Sequence, residues 1–322
     1  MKERPDAPAS RQLYRLALLT AAVTFPLLCL GGLVTSLDAG LVFPDWPLSA
    51  GSLNPSGWTA NLDQAAEHGH RLLGALVGLC ALALLVTALR RRAPRAVRRL
   101  AWIVFAAVSL QGLLGGLRVT EQSTQLALWH GCFAQVVFCL MVATVWLTSR
   151  DGPSPSGLRP SGSGPRRTSP KQQNDARPLF AASVAVVLLV FLQLILGAQL
   201  RHVGGPAYSH ILGAVITLGA VGWALFLALR RHGPDAPVVE AATSLAGLFL
   251  LQVFLGLIVF STLGTGAGDP HTTARVVLPT LHLALGALIL ARALLLALHA
   301  GRRVWEQRPV APMSPMNTET AS

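Results

Sequence analysis

Charge is scarce in this sequence. Only 12% of its 322 residues are charged, about half of what a soluble domain carries. Acidic residues are the scarcest, 14 against 26 lysines and arginines. With 52% hydrophobic residues and a mean hydropathy of +0.53, that shortage excludes an ordinary water-soluble globule. Cysteine is sparse too, and Cys29, Cys80, Cys132 and Cys139 all fall inside apolar runs. Cys132 and Cys139 share a helix face but stand about 10 Å apart along its axis, too far to bridge. No disulfide framework is expected. The net charge of +12 alone would suit nucleic acid. Its distribution points elsewhere, because the basic residues fall in short stretches between apolar runs. No nucleic-acid partner is expected, and the partner implied is membrane lipid.

Eight apolar runs are each long enough to span a bilayer, roughly 14–36, 70–89, 100–118, 126–148, 178–200, 208–229, 240–262 and 276–298. Helices satisfy their backbone in lipid without closing a barrel. The fold class expected is therefore an all-α integral membrane protein of eight transmembrane helices. The first run could pass for a signal peptide, but it is too long and no small-residue cleavage site follows it. Of the 26 basic residues, 21 fall on one side of this arrangement. Arg292 lies near that side, and only Arg71, Arg118, Arg201 and Arg275 lie on the other. The expected orientation puts both termini in the cytoplasm of a cell inner-membrane protein.

Residues 149–177 are rich in Ser, Pro, Gly and Arg, and read as a flexible cytoplasmic linker. It divides the chain into an N-terminal half, 1–148, and a C-terminal half, 178–322, each of four helices. The outer stretch Leu37 to Ala66 is the longest on its side, and its Phe43-Pro44-Asp45-Trp46-Pro47 reads as an ordered turn.

The halves look like a repeat. Leu110-Gln111-Gly112-Leu113-Leu114-Gly115 matches Leu251-Gln252-Val253-Phe254-Leu255-Gly256 at an offset of 141, and His70 matches His210 at 140. His130 matches His282 at 152, which an insertion in 264–275 would explain. A third Leu-Gln-x-x-Leu-Gly run at 192–197 weakens that motif as evidence on its own. Two imidazoles facing each other across a four-helix bundle can hold a heme. Each half offers such a pair, His70 with His130 and His210 with His282. Any one of these could equally be a hydrogen-bonding interfacial histidine; four at matched positions are harder to explain that way.

The repeat is chemically uneven. Glu67 maps onto Ala207 and Arg71 onto Ile211, so only the first half has a carboxylate beside its histidine. A site that removes protons from a substrate benefits from a base, whereas a redox heme needs none. That favours the first half for chemistry and the second for a fixed heme. Spacing alone leaves Glu67 between this role and that of a helix N-terminal acid complementing the macrodipole. Arg71, Arg118, Arg201 and Arg275 stand between heme propionate partners and interfacial cations. His68 faces away from His70. His202 and His271 are expected in outer loops, and His232 and His299 at cytoplasmic helix ends.

At these residues the chain resembles the heme A synthase family of membrane oxidoreductases that serve cytochrome oxidase assembly. The matching features are Gly31-Gly32-Leu33-Val34-Thr35, the turn at 44–47, the Glu-x-x-His-Arg of Glu67, His70 and Arg71, and Gln111 to Thr120. His130, Arg201-His202 with His210, and His282 complete them. The resemblance implies oxidation of a ring methyl of heme O to a formyl group, giving heme A. It implies Glu67 as the catalytic carboxylate and His70 and His130 as ligands of the substrate heme iron. His210 and His282 would be ligands of a cofactor heme b. A heme O synthase is the implied supplier, and a homo-oligomer is compatible with the resemblance. The electron acceptor stays unidentified. Many bacterial members carry a cysteine pair in the first outer loop, where this chain has Phe43 and Ser49. Two other classes remain in view from the residues themselves, a diheme b-type electron carrier and a heme transporter or chaperone.

Overall fold

The computed structural model describes residues 7–149, 175–264 and 272–307. Eight helices run through them: α1 (Ala7–Ser36), α2 (Leu62–Arg90), α3 (Arg95–Thr120), α4 (Thr124–Thr148), α5 (Arg177–His202), α6 (Ala207–His232), α7 (Ala236–Gly264) and α8 (Thr273–Glu306). All eight are long and apolar enough to cross a membrane. Among the described residues the only strand-like pairing is an isolated bridge between Ser49 and Ser52. The chain is a multi-pass membrane protein.

Helix packing closes two rings. α1 to α4 form one four-helix bundle and α5 to α8 the other, each helix touching its neighbours in sequence and the last touching the first. The bundles meet where α1 packs on α8 and where α4 packs on α5 and α8. Lipid tails supply little hydrophobic drive between helices, so close approach and van der Waals contact hold such bundles together. Small residues provide that approach. Ala81, Ala88 and Ala101 are fully buried in the first bundle, and Ala228, Ala293 and Ala300 in the second. Between the bundles, Ala287 and Ala291 of α8 pack with Leu28 and Phe138, whose ring stands 6.0 Å from that of Phe25.

Every helix extends past the limits read from hydropathy, and α2 does so most usefully. It begins at Leu62, not near residue 70, because the polar stretch Asp63 to Glu67 is also helical. Asp63 places a negative charge in its first turn, where the helix dipole favours one. Glu67, His68, His70 and Arg71 therefore share one rigid helix, and the loop before it shortens to 37–61. His70, His130 and His282 lie two turns or so inside their helices, while His210 stays in the first turn of α6. His202 belongs to the last turn of α5 and not to a loop, since that helix persists through Arg201. Most of the 149–177 stretch, and His271, lie outside the described residues.

Candidate functional site: two histidine pairs under a capped end

The even-numbered helices all start at the end of the bundles that carries loop 37–61, the cap end. Each brings one histidine down from that end into its bundle. In the first bundle the rings of His70 and His130 face each other with centroids 6.4 Å apart and planes at 71°. In the second, His210 and His282 stand 6.3 Å apart, also at 71°. The sequence repeat is thus a repeat of geometry.

The odd-numbered helices make room for these rings with glycine. A Cβ on Gly31 of α1 would lie 3.0 Å from His70 Cε1, and one on Gly115 of α3 would lie 2.9 Å from His130 Cε1. In the second bundle Gly197 of α5 meets His210 at 3.3 Å and Gly256 of α7 meets His282 at 3.0 Å. Three of these glycines close the Leu-Gln-x-x-Leu-Gly runs. The copy at 192–197, which weakened the motif as a repeat marker, is the cradle of His210.

The spacing of each pair fits a shared metal ion. Two imidazoles that each place a nitrogen about 2 Å from one metal hold their centroids about 6 Å apart. A direct ring-to-ring hydrogen bond would instead draw the centroids to about 5 Å. No hydrogen bond joins either pair, and Nδ1 of His70, His210 and His282 is buried without a hydrogen-bond partner. Buried polar atoms are seldom left so. All four histidines are half-buried residues. The residues present therefore suit one heme iron per bundle. Among the described residues no cluster of three or more His, Cys, Asp or Glu occurs, so a bare metal ion has no comparable site.

Among the described residues, only the first bundle carries a cap. Loop 37–61 is pinned to α2 by three of that helix's side chains, Glu67, His68 and Arg71. Glu67 is buried and pairs with Arg71 at 2.5 Å, and its other oxygen accepts from the Phe43 N–H at 2.9 Å. Arg71 donates to the carbonyls of Phe43, Asp45 and Leu48 and reaches Ser49 Oγ. His68 Nδ1 lies 3.0 Å from Ser49 Oγ, with its ring edge-on to Trp58 and Phe43. The expected turn at 43–47 is therefore ordered, and it includes a cis peptide before Pro47. Trp46 closes the cap over α3, where a side chain at Gly116 would strike its indole. Within the loop, Asp45 accepts from the N–H groups of Gly51 and Ala50, both at 2.8 Å. These bonds hold its carboxyl below the usual range, the Gly51 bond contributing most.

The other cap-end arginines are differently placed. Arg118 donates to the Gly40 carbonyl at 2.7 Å and lies close enough to act electrostatically on His70, His130 and His202. Arg201 crosses from the second bundle to the first, donating to Ser36 Oγ at 2.6 Å, and Ser36 in turn shares a hydrogen bond with Thr280 of α8. Neither Arg118 nor Arg201 forms an ion pair with a carboxylate among the described residues, although both sit in apolar surroundings. Arg275 stands in the first turn of α8. On sequence His68 has no functional role, and His202 is the one of the remaining histidines to test. His68 proves to be a buried anchor of the cap, and its contact with Ser49 across 19 positions left no sequence signal. His232 is buried at the end of α6, and His299 faces Trp146 at the opposite end from the cap.

Relatives match this chain over part of their length. The chain is 35% identical over 157 residues to a heme A synthase of Rhodopseudomonas palustris strain HaA2, covering 45% of this chain and 43% of that protein. It is 34% identical over 154 residues to a heme A synthase of Bradyrhizobium diazoefficiens, covering 44% and 42%. A heme A synthase of Symbiobacterium thermophilum is 31% identical over 204 residues, 60% of each. The matched stretches thus span less than two thirds of these relatives. A family model described as cytochrome oxidase assembly protein matches residues 14–208, which include Glu67, His70, His130 and Arg201 and stop two residues short of His210. With well over half of its length inside that match, the chain belongs to the cytochrome oxidase assembly protein family.

Proposed function

We propose that this chain is a heme A synthase, a membrane oxidoreductase that converts one ring methyl of heme O to a formyl group. The observation that carries the reading is the pair of matched imidazole sandwiches, of which, among the described residues, only the first has a buried carboxylate one turn away and a closed cap above it. The names of the relatives supply the product, heme A; the geometry supports the reading with two matched histidine pairs and an asymmetry between them. His70 and His130 hold the iron of the substrate, heme O. His210 and His282 hold a resident heme b, which when bound supplies a one-electron acceptor inside the membrane. A heme O synthase is the fitting source of substrate. The basic ends of the helices lie in the cytoplasm of the cell inner membrane, so the cap faces outward.

The protein's own groups divide the remaining work. Taking a methyl to a formyl is a four-electron oxidation at carbon, R–CH3 + H2O → R–CHO + 4 H+ + 4 e−, with the electrons passing one at a time to an external acceptor. It is reached through hydroxylation twice at one carbon with oxygen from water and loss of water from the geminal diol. Protons leave that carbon, and Glu67 on the same helix as His70 is the carboxylate that receives them or offsets positive charge. Arg118 and Arg201 are the propionate partners, because neither forms an ion pair with a carboxylate among the described residues. Arg71 is occupied by the cap. The cap keeps bulk water from the first site, which strengthens every charge interaction inside it.

Glu67→Gln is the discriminating variant, since it keeps an acceptor for the Phe43 N–H while removing the charge. The expected result is both hemes bound with normal absorbance and heme A formation lost. Unchanged heme A yield would remove Glu67 from the chemistry. A diheme electron carrier would need both histidine pairs but would tolerate the loss of Glu67 and never contain heme A.

A further inference from the structure

The four imidazoles are not held equally. Four residues before each cradle glycine, one helical turn away on the same face, stands Gln111 on α3, Gln193 on α5 and Gln252 on α7, but Leu27 on α1. Gln111 donates from Nε2 to the His130 backbone carbonyl at 2.9 Å, and the same atom lies 3.1 Å from the ring Nδ1. Gln252 donates to the His282 carbonyl at 2.9 Å. Gln193 presses against α6 at Gly213, one turn past His210, where any Cβ would collide with its amide. In all three the amide Oε1 is buried and accepts nothing. In His210 and His282 the buried Nδ1 likewise lacks a partner.

An amide that ties down the histidine helix, and at Gln111 reaches the ring itself, is the kind of outer-shell support that metal-ligating histidines use. The ring binds metal through one nitrogen and donates from the other, which fixes its tautomer and orientation. His70 has no such amide within its cradle. Its ring meets only the Leu27 backbone, in a geometry looser than an ordinary hydrogen bond; His130 and His210 meet the backbones of Gln111 and Gln193 likewise, but there the residue also supplies an amide. One turn beyond it, a side chain at Gly74 would meet nothing within 4 Å, whereas at the equivalent Gly286 it would meet Gln252 Nε2 at 3.5 Å.

We propose that Gln111, Gln193 and Gln252 are positioning residues that lock His130, His210 and His282, and that Leu27 leaves His70 as the exchangeable ligand of the substrate heme. The inference rests on the two-heme reading above and deepens it. A substrate heme must enter and its product leave, while a cofactor heme stays. One loosely oriented imidazole in the first bundle and none in the second is the distribution that serves both needs.

Carbon monoxide titration of the reduced full-length protein in membranes tests this without reference to turnover, because carbon monoxide binds ferrous heme only where an axial ligand yields. Heme content per protein is measured in parallel. In the unaltered protein half of the heme is expected to react. Leu27→Gln should weaken carbon monoxide binding by about tenfold, on the scale of outer-shell effects at metal sites. Gln252→Leu should make the second heme reactive as well, and Gln252→Glu, which keeps an acceptor, should leave it inert. Two bound hemes with a response unchanged in both Leu27→Gln and Gln252→Leu would overturn the proposal. Absence of heme from the unaltered protein would overturn the two-heme reading and this proposal with it.

Discussion

A missing Cβ decides whether each histidine can stand where it does. The Gly115 cradle leaves no slack, because an added methyl would sit 2.9 Å from His130 Cε1, closer than real contacts allow. Gly112, in the same motif one turn earlier, faces open space. Gly115→Val is therefore expected to lower heme bound by the first bundle about tenfold, while Gly112→Ala leaves it unchanged. Absorbance of bound heme per protein checks both. These side chains were partly legible in the sequence. His70 with His210 and two of the Leu-Gln-x-x-Leu-Gly runs share nearly one offset, 140 and 141, and His130 with His282 departs from it by an insertion of about eleven residues, which is why they could be paired. Gly31 could not, since Gly31 to Gly197 is an offset of 166 against 140 for His70 to His210. The long loop after α1 shifts the register and hides the fourth cradle. The glutamines' contacts with histidine helices were also invisible, because they cross between helices and have no local spacing.

At the scale of an element, loop 37–61 is the feature that distinguishes the halves. α5 and α6 are joined by only a short turn at 203–206, so the matching connection of the second bundle has no such loop. The loop's order comes from α2, through the Glu67–Arg71 pair and His68. Breaking a buried ion pair by removing one partner typically costs about 3–5 kcal/mol. Arg71→Met is accordingly expected to release the cap, seen as faster proteolysis within 37–61 while the helices stay intact. Phe43 and Ser49 occupy the places where the family resemblance leads one to expect a cysteine pair. Here Arg71 touches both, at the Phe43 carbonyl and Ser49 Oγ, so a guanidinium links what a disulfide would. Asp45 sets the loop's acid limit. Its folded carboxyl titrates below the unfolded value, so its contribution is fully present above the ordinary aspartate range near pH 4. It is lost only as pH falls below that range, through the folded value. Proteolysis of the loop should therefore be flat from neutrality to about pH 5 and rise below pH 4; a rise near pH 6 would exclude Asp45 as its cause. The sequence showed an ordered turn here, but the polar stretch before His70 disguised the start of α2.

For the whole molecule, the arrangement of two bundles side by side at a common cap end places both histidine pairs at similar depth. Contact between them runs through small residues of α8 and through Arg201, which reaches from α5 to Ser36 of α1. Ala287 is fully buried in that contact. Ala287→Leu overpacks it and is expected to cost about 1–3 kcal/mol, read as a lower thermal midpoint in detergent, with each heme's absorbance initially retained. Eight helices and their division into two related sets were readable from hydropathy and repeats, because lipid forces backbone pairing within each span. Which helix touches which between the bundles was not, since alanine and leucine faces carry no address. The central claim is that the first histidine pair holds a substrate and the second a cofactor. Its most direct test is extraction and chromatography of hemes from membranes containing this protein with a heme O synthase. Heme A or its hydroxylated intermediate, present only with this chain and absent from the Glu67→Gln variant, is the predicted result. Heme O and heme b alone, on a protein with two intact bis-histidine hemes, would contradict it.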